Sequence, residues 1–223
     1  AAARLTQLGI DALIVDKHKR IGDNWRKRYH ALTLHNQVQV NHMPYMPFPP
    51  TWPAYLPKDK LANWFETYVE ALELNYWPQT ELVHGAYVEI AQRWTVTLRS
   101  GDGTEQKLCP RDIIMATGVS GIANRPNIPT LDKFQGRVVH SSEYQDSDDY
   151  VGKKAIVIGT GNSGHDIAQD LYSNGAEVTM VQRSPTLVVN IEPSAQLPYG
   201  LYSEGPSLED CDFITLSMPT PLL

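Results

Sequence analysis

A chain of 223 residues with 42% hydrophobic and 20% charged residues can bury a real core and hold one or two domains. Its net charge of −6 argues against a nucleic-acid-binding surface, and no apolar run approaches the length of a membrane span. The two cysteines, Cys109 and Cys211, form neither a C-x-x-C pair nor a disulfide framework; with no signal peptide evident, the sequence reads as that of a cytoplasmic protein.

Residues 1–9 read as a helix already under way, with Leu5 and Leu8 apolar and Gly9 as its stop. Residues 12–15 follow as a strand, and Asp16 stands at its end. A helix, a short loop and a strand ending in an acid are the last three parts of a βαβ nucleotide unit, whose first strand and glycine turn would lie before residue 1. In such a unit Asp16 binds a ribose hydroxyl; the other reading is a plain strand-end aspartate. Residues 20–57 are rich in Pro, Trp, Tyr and His. The prolines forbid long helices, and the aromatics suit a loop packed over something flat. His30, His35 and His42 lack a metal-ligand spacing and have no cysteine near, so no metal site is expected.

Residues 58–75 give the clearest amphipathic helix. Leu61, Trp64, Phe65, Tyr68, Val69 and Leu72 form a core stripe, with Asp59 as the N-cap. Residues 81–100 read as two strands followed by a hairpin turn at Gly101-Asp102-Gly103. Residues 112–116 read as another buried strand, ending in Ala116-Thr117-Gly118, and residues 119–129 as a connection between domains. Val138-Val139 read as a short strand with His140 at its end, and the acidic run 146–149 as a solvated loop. Beyond residue 191 no element stands out.

The chain is organised around residues 155–184. An apolar run, Ala155-Ile156-Val157-Ile158, reads as a buried parallel strand and enters Gly159-Thr160-Gly161-Asn162-Ser163-Gly164, a G-x-G-x-x-G. A helix with Ile167, Ala168 and Leu171 on one face follows, then an Asn174-Gly175 stop and a second strand. In this βαβ unit Gly159 makes the tight turn, Gly161 lets backbone approach a pyrophosphate, and Gly164 lets the helix pack closely on the strand. The first-turn N–H groups and the helix dipole favour the phosphates. An NAD-selective unit carries an acid at the end of the second strand, whereas this one has Gln182 followed by Arg183 and Ser184. A guanidinium beside a hydroxyl suits the 2′-phosphate of NADPH; the other reading of Arg183 is a solvated surface arginine.

These residues resemble the flavin-containing monooxygenases, flavoproteins that hold FAD and NADPH in two Rossmann-type domains. The most specific mark is F-x-G-x-x-x-H-x-x-x-Y, filled by Phe134, Gly136, His140 and Tyr144, and the G-x-G-N-S-G turn and Ala116-Thr117-Gly118 agree with it. The stretch 34–48, with M-P-Y-M-P-F-P beginning at Met43, is similar to the branch of plant auxin-forming enzymes and their microbial relatives. The resemblance implies an α/β fold of two dinucleotide-binding domains, both incomplete here. Residues 1–123 would be the FAD domain lacking its first strand and glycine turn, and residues 124–223 an inserted NADPH domain.

The resemblance further implies that Asp16 meets the FAD ribose, that Asn24, Trp25 and Arg28 lie along the flavin, and that Val83 meets the adenine through its backbone. Asn36 matches the family's active-site amide, and His140 and Tyr144 shape the site from the NADPH domain. The implied activity is an FAD- and NADPH-dependent monooxygenation of a small organic substrate by O₂, through a flavin C4a-hydroperoxide; a nitrogen or sulfur nucleophile or a 2-oxo acid would serve. The competing readings are a Baeyer–Villiger enzyme acting on ketones, a flavin disulfide reductase (disfavoured by the lack of C-x-x-C), and an inactive nucleotide-binding fragment that does not retain FAD.

Overall fold

In the computed structural model, which describes residues 1–118 and 120–218, the chain divides into two units. One comprises Ala1–Arg28 and Asp59–Tyr144, the other Tyr29–Lys58 and Gln145–Leu223.

The first unit opens on α1 (Ala2–Gln7), which ends where Gly9 takes φ +71°. The Gly9 N–H donates to the Thr6 carbonyl and the Ile10 N–H to that of Leu5, the paired bonds of a Schellman stop. Strand β1 (Leu13–Val15) then pairs in parallel with β2 (Asn75–Trp77), Leu13 opposite Asn75. Between them in sequence come the single-turn helix α2 (Asp23–Arg26) and α3 (Lys58–Ala71). Leu61, Ala62 and Tyr68 of α3 are buried, as the apolar stripe requires.

Helix α3 is shorter than that stripe predicts. Glu73 turns left-handed at φ +51°, with Glu73 N–H donating to the Glu70 carbonyl and Leu74 N–H to that of Val69. This is again a Schellman stop, on a residue type that gives no warning of it, and it frees Asn75–Trp77 to become a strand. Asp59 lies inside the first turn of α3 rather than capping it.

An antiparallel sheet follows, in the order β3 (Thr80–Val88), β4 (Arg93–Ser100), β5 (Glu105–Leu108). Gly103, at φ +88°, turns the chain from β4 to β5, and Asp102 Oδ1 accepts from the Thr104 N–H at 2.9 Å. The expected strand at residues 112–116 does not form, and Ile114 and Met115 are 58% and 68% exposed. A buried parallel strand needs a neighbour to complete its ladder, and among the described residues the sheet of β1 and β2 has two strands. Val138 and Val139 are likewise outside any strand. Residues 120–129 carry no regular element, while Val119, the start of the expected connection, lies outside the described residues.

In the second unit β6 (Lys154–Ile158), α4 (Asn162–Ser173) and β7 (Glu177–Val181) form the expected βαβ arrangement. Strand β6 is not the buried strand expected, however: Ile156 and Ile158 are 64% and 57% exposed, since α4 covers one face of the pair and the described residues put nothing on the other. The strands are parallel, from Lys154 opposite Glu177 to Ile158 opposite Val181. Helix α4 packs on both strands, and its Ile167, Ala168 and Leu171 are buried. It stops at Gly175 (φ +90°), with Gly175 N–H on the Tyr172 carbonyl and Ala176 N–H on that of Leu171. The segment 29–58 closes on itself: Leu34 N–H donates to the Leu56 carbonyl, Val38 N–H to that of Ala54, and Lys58 N–H to that of Leu32.

Beyond residue 191 the structure adds two elements to the sequence reading, a 3-10 helix at Ser194–Ser203 and α5 (Leu208–Ser217). The side chain of Ser207 caps α5 by accepting from the Asp210 N–H at 3.2 Å. Among the described residues no helix is long and apolar enough to cross a membrane.

Gly22 carries a sharp packing test. It sits at φ +83°, and a Cβ there would lie 2.6 Å from the backbone oxygen of Ala62, a fully buried residue of α3. Gly22→Ala therefore combines left-handed strain with a backbone clash and is expected to destabilise the chain by about 2–4 kcal/mol. Urea unfolding would show the midpoint falling with the slope unchanged.

Candidate functional site

The Gly159–Gly164 turn is built by a close backbone approach. Gly159 has φ +110°, and its N–H donates to the Val181 carbonyl, so the turn starts while still tied to β7. A Cβ on residue 164 would lie 2.7 Å from the Gly159 carbonyl oxygen, which only glycine avoids. At Gly161, by contrast, a Cβ would meet nothing within 4 Å. Gly161 is the N-cap of α4 and no side chain caps the helix. The first-turn N–H groups of a twelve-residue helix thus open onto space at which a Cβ is absent, the arrangement that accepts a diphosphate.

Two further features border this turn. Thr160 Oγ1 and Thr186 Oγ1 are hydrogen-bonded at 2.6 Å, tying the turn to the segment that follows β7. On that segment Gln182 Nε2 donates to the Ser184 carbonyl, while Arg183 is exposed with no side-chain partner among the described residues. Asn36 lies in this second unit too, and its carbonyl accepts from Asn41 Nδ2 at 3.3 Å. The sequence reading missed Asp166 on α4, which accepts from the Tyr29 hydroxyl at 2.6 Å and from His35 Nε2 at 3.1 Å. Partners 137 and 131 residues away leave no local pattern to read.

The remaining predicted site residues lie in the first unit. Asp16, at the end of β1, accepts from the His18 N–H and ring Nδ1, both at 2.7 Å and both through Oδ1. Its other oxygen is thereby left to accept from a ligand hydroxyl. Tyr76 of β2 has its hydroxyl pushed up to about 12, by burial first and then by the nearby carboxylates of Asp16 and Asp23. Asn24 and Trp25 are on α2, and Arg28 donates through Nε to the Asn24 carbonyl and through Nη2 to that of Ser120, each at 3.3 Å. Val83 falls at the bulge of β3, where the register passes from Leu82 opposite Leu98 to His84 opposite Thr97. It has no partner across the ladder.

Ala116, Thr117 and Gly118 are exposed, with Gly118 at φ +70°. A Cβ at Gly136 would lie 2.5 Å from the Phe134 ring, so the F-x-G pair packs on itself. His140 Nδ1 accepts from the Ser142 N–H at 3.2 Å and meets Ser142 Oγ at 2.9 Å. Beside it the Arg125 guanidinium, helped by the His140 N–H, holds the Glu143 carboxyl below the usual carboxylate range. Tyr144 is buried. Among the described residues no group of three or more His, Cys, Asp or Glu side chains could hold a metal ion.

Comparison with known proteins decides the family. The profile described as "Flavin-binding monooxygenase-like" matches residues 19–206. The chain belongs to that family. It is 31% identical to the indole-3-pyruvate monooxygenase YUCCA1 of Oryza sativa subsp. japonica over 202 residues, covering 90% of this chain and 49% of the relative. The chain thus spans about half the length of the curated relatives it matches. Among solved structures, a two-substitution variant of the flavin monooxygenase from Stenotrophomonas maltophilia superposes with a TM-score of 0.75 at 25% identity, over 84% of this chain and 56% of that one. A structure described as the OTEMO complex with FAD and NADP gives 0.67 at 25% identity, over 82% of this chain and 36% of that one. The α/β fold of dinucleotide-binding flavoprotein monooxygenases is therefore shared.

Tyr76 and Tyr202 give the chain a measurable alkaline signature. The Tyr202 hydroxyl is also raised to about 12, by burial first and then by its hydrogen bond to Asp212, against 10.0 for an unperturbed tyrosine. The unfolded chain releases these protons first, so their contribution to stability is full below about pH 10 and is lost as pH rises toward 12. Urea unfolding between about pH 9 and 11 should show stability falling, and Tyr76→Phe and Tyr202→Phe should each make the fall shallower.

Proposed function

We propose that the whole protein is an FAD- and NADPH-dependent monooxygenase that oxygenates a small 2-oxo acid of the indole-3-pyruvate kind. The observation that carries the nucleotide part is the uncapped α4 turn, open at Gly161, with the unpartnered Arg183 at the end of β7. Backbone N–H groups at Asn162, Ser163 and Gly164 hold the diphosphate, and Gly159 and Thr160 keep the turn in shape. Arg183 and the Ser184 hydroxyl take the 2′-phosphate, while Gln182 offers no carboxylate to repel it.

The residues of the first unit fit FAD as its second dinucleotide. The free oxygen of Asp16 accepts from the adenosine ribose, the bulged backbone of Val83 meets the adenine, and Asn24, Trp25 and Arg28 line the isoalloxazine. Bound FAD supplies hydride acceptance and oxygen activation, chemistry that no side chain of this chain provides. The chain's own part is orientation and exclusion of water. The Asn36 amide donates to the nicotinamide, and Ala116-Thr117-Gly118 lets the backbone approach the FAD. His140, its Nδ1 held by Ser142, shapes the site with Tyr144, Phe134 and Gly136 rather than moving protons. The relatives named indole-3-pyruvate monooxygenases support the substrate class. Molecular oxygen is the co-substrate.

Replacing Arg183 by Ala tests the nucleotide assignment. NADPH binding should weaken by about 1.5–3 kcal/mol, the worth of a charged hydrogen bond, with NADH binding nearly unchanged. Calorimetric titration of both nucleotides reads this directly, and an equal loss for both would remove Arg183 from the site.

A further inference from the structure

We propose that Asp166 is a positioning residue that registers Asn36 against the dinucleotide turn; the proposal rests on the NADPH reading of that turn. Asp166 is the fifth residue of α4, two beyond the Gly164 that meets the Gly159 carbonyl. Its Oδ2 accepts from the hydroxyl of Tyr29, a residue only 4% exposed, and both its oxygens lie 3.1 Å from His35 Nε2. Its own side chain is 25% exposed. A carboxylate that receives two side-chain donors in a half-buried place is a fixed point, not a solvated helix acid.

The donors come from the start of the 29–58 segment, whose two limbs are joined by the Leu34–Leu56 and Val38–Ala54 backbone bonds. Fixing the entering limb therefore fixes the whole segment. His35 is held a second time, since its carbonyl accepts from Gln196 Nε2 at 2.9 Å. Asn36 is the next residue, and its carbonyl is tied to Asn41. Asp166 thus joins the backbone that presents the Asn36 amide to the rigid turn of α4 on which the phosphates would rest. The same junction disperses a negative charge that would otherwise stand bare near the phosphate-binding end of the helix.

Linkage is reciprocal: a ligand that stabilises the first turn of α4 also stabilises the segment through Asp166. Hydrogen exchange of the 223-residue chain, with and without NADP⁺, reads this. In the unaltered chain NADP⁺ should slow exchange at residues 33–41. In Asp166→Ala, exchange there without ligand should run about tenfold faster. NADP⁺ should still bind within about threefold yet no longer slow exchange at 33–41, while the amides of β6 and β7 stay protected. Tyr29→Phe removes one donor without touching α4, so it should give a smaller change in the same direction; it also serves if the alanine variant does not fold. Unchanged exchange in the variants, or a ligand response equal to that of the unaltered chain, would overturn the role of Asp166. Failure of NADP⁺ to bind the unaltered chain would instead overturn the NADPH reading, and the ligand-free comparison would still decide whether Asp166 holds the segment.

Discussion

The Gly159 carbonyl oxygen and Gly164 stand so close that no side chain fits on residue 164, and the second unit is built around that approach. It brings the start of α4 directly over the end of β6, which aims the uncapped N–H groups of the helix at the space before Gly161. The Gly159 N–H meanwhile stays on the Val181 carbonyl, so β7 is held parallel to β6 up to the point where Gln182 and Arg183 leave the sheet. The turn, the helix dipole and the segment that leaves β7 at Gln182 are thus one construction, and the Thr160–Thr186 bond closes it on the far side. A larger residue at 164 would push the helix outward and lose all of these alignments together.

Features read correctly from the sequence are those whose cause lies within a few residues. Gly9 and Gly175 stop their helices because glycine takes a left-handed conformation without a Cβ clash. Gly159 and Gly164 could be assigned their tasks because both belong to one backbone approach, the Gly159 carbonyl oxygen against residue 164. Where the same geometry is imposed on another residue type the signal disappears: Glu73 ends α3 with the same bonds as Gly175 ends α4. The apolar stripe ran on to Leu72, and nothing local announced the stop. Helix α5, capped by Ser207 through the Asp210 N–H, was not read at all, because the prolines on either side of it hid the helix.

The site was legible only in part. Motif spacing singled out the Gly159–Gly164 turn, Asp16 and Arg183 as candidates, since each stands at the end of a strand or the start of a helix. Asp166 escaped because its meaning depends on Tyr29 and His35, which the chain brings back only after more than a hundred residues. Residues 112–116 show the converse. Their composition is that of a buried strand, yet composition says nothing of whether a neighbouring strand is there to receive their hydrogen bonds. A ladder is a property of two segments, and single-segment reasoning fails wherever the partner decides.

Arg183 differs from five arginines that bond carboxylates. Arg20 and Arg26 both bond Glu66, Arg99 faces Glu105, Arg111 faces Asp112 and Arg125 faces Glu143. In a chain with a net charge of −6, carboxylates are in excess, and a guanidinium has little difficulty finding one. Arg183 stands at the end of β7 without such a partner among the described residues, next to a neutral amide and a hydroxyl. Exposure alone would make it an ordinary solvated arginine. Its place one strand away from an open, uncapped helix start changes the argument, because the field there already favours an anion and the guanidinium adds a second, directional claim on it. A ligand with phosphate at both ends of an adenosine, which NADPH has and NADH has not, would use both features at once.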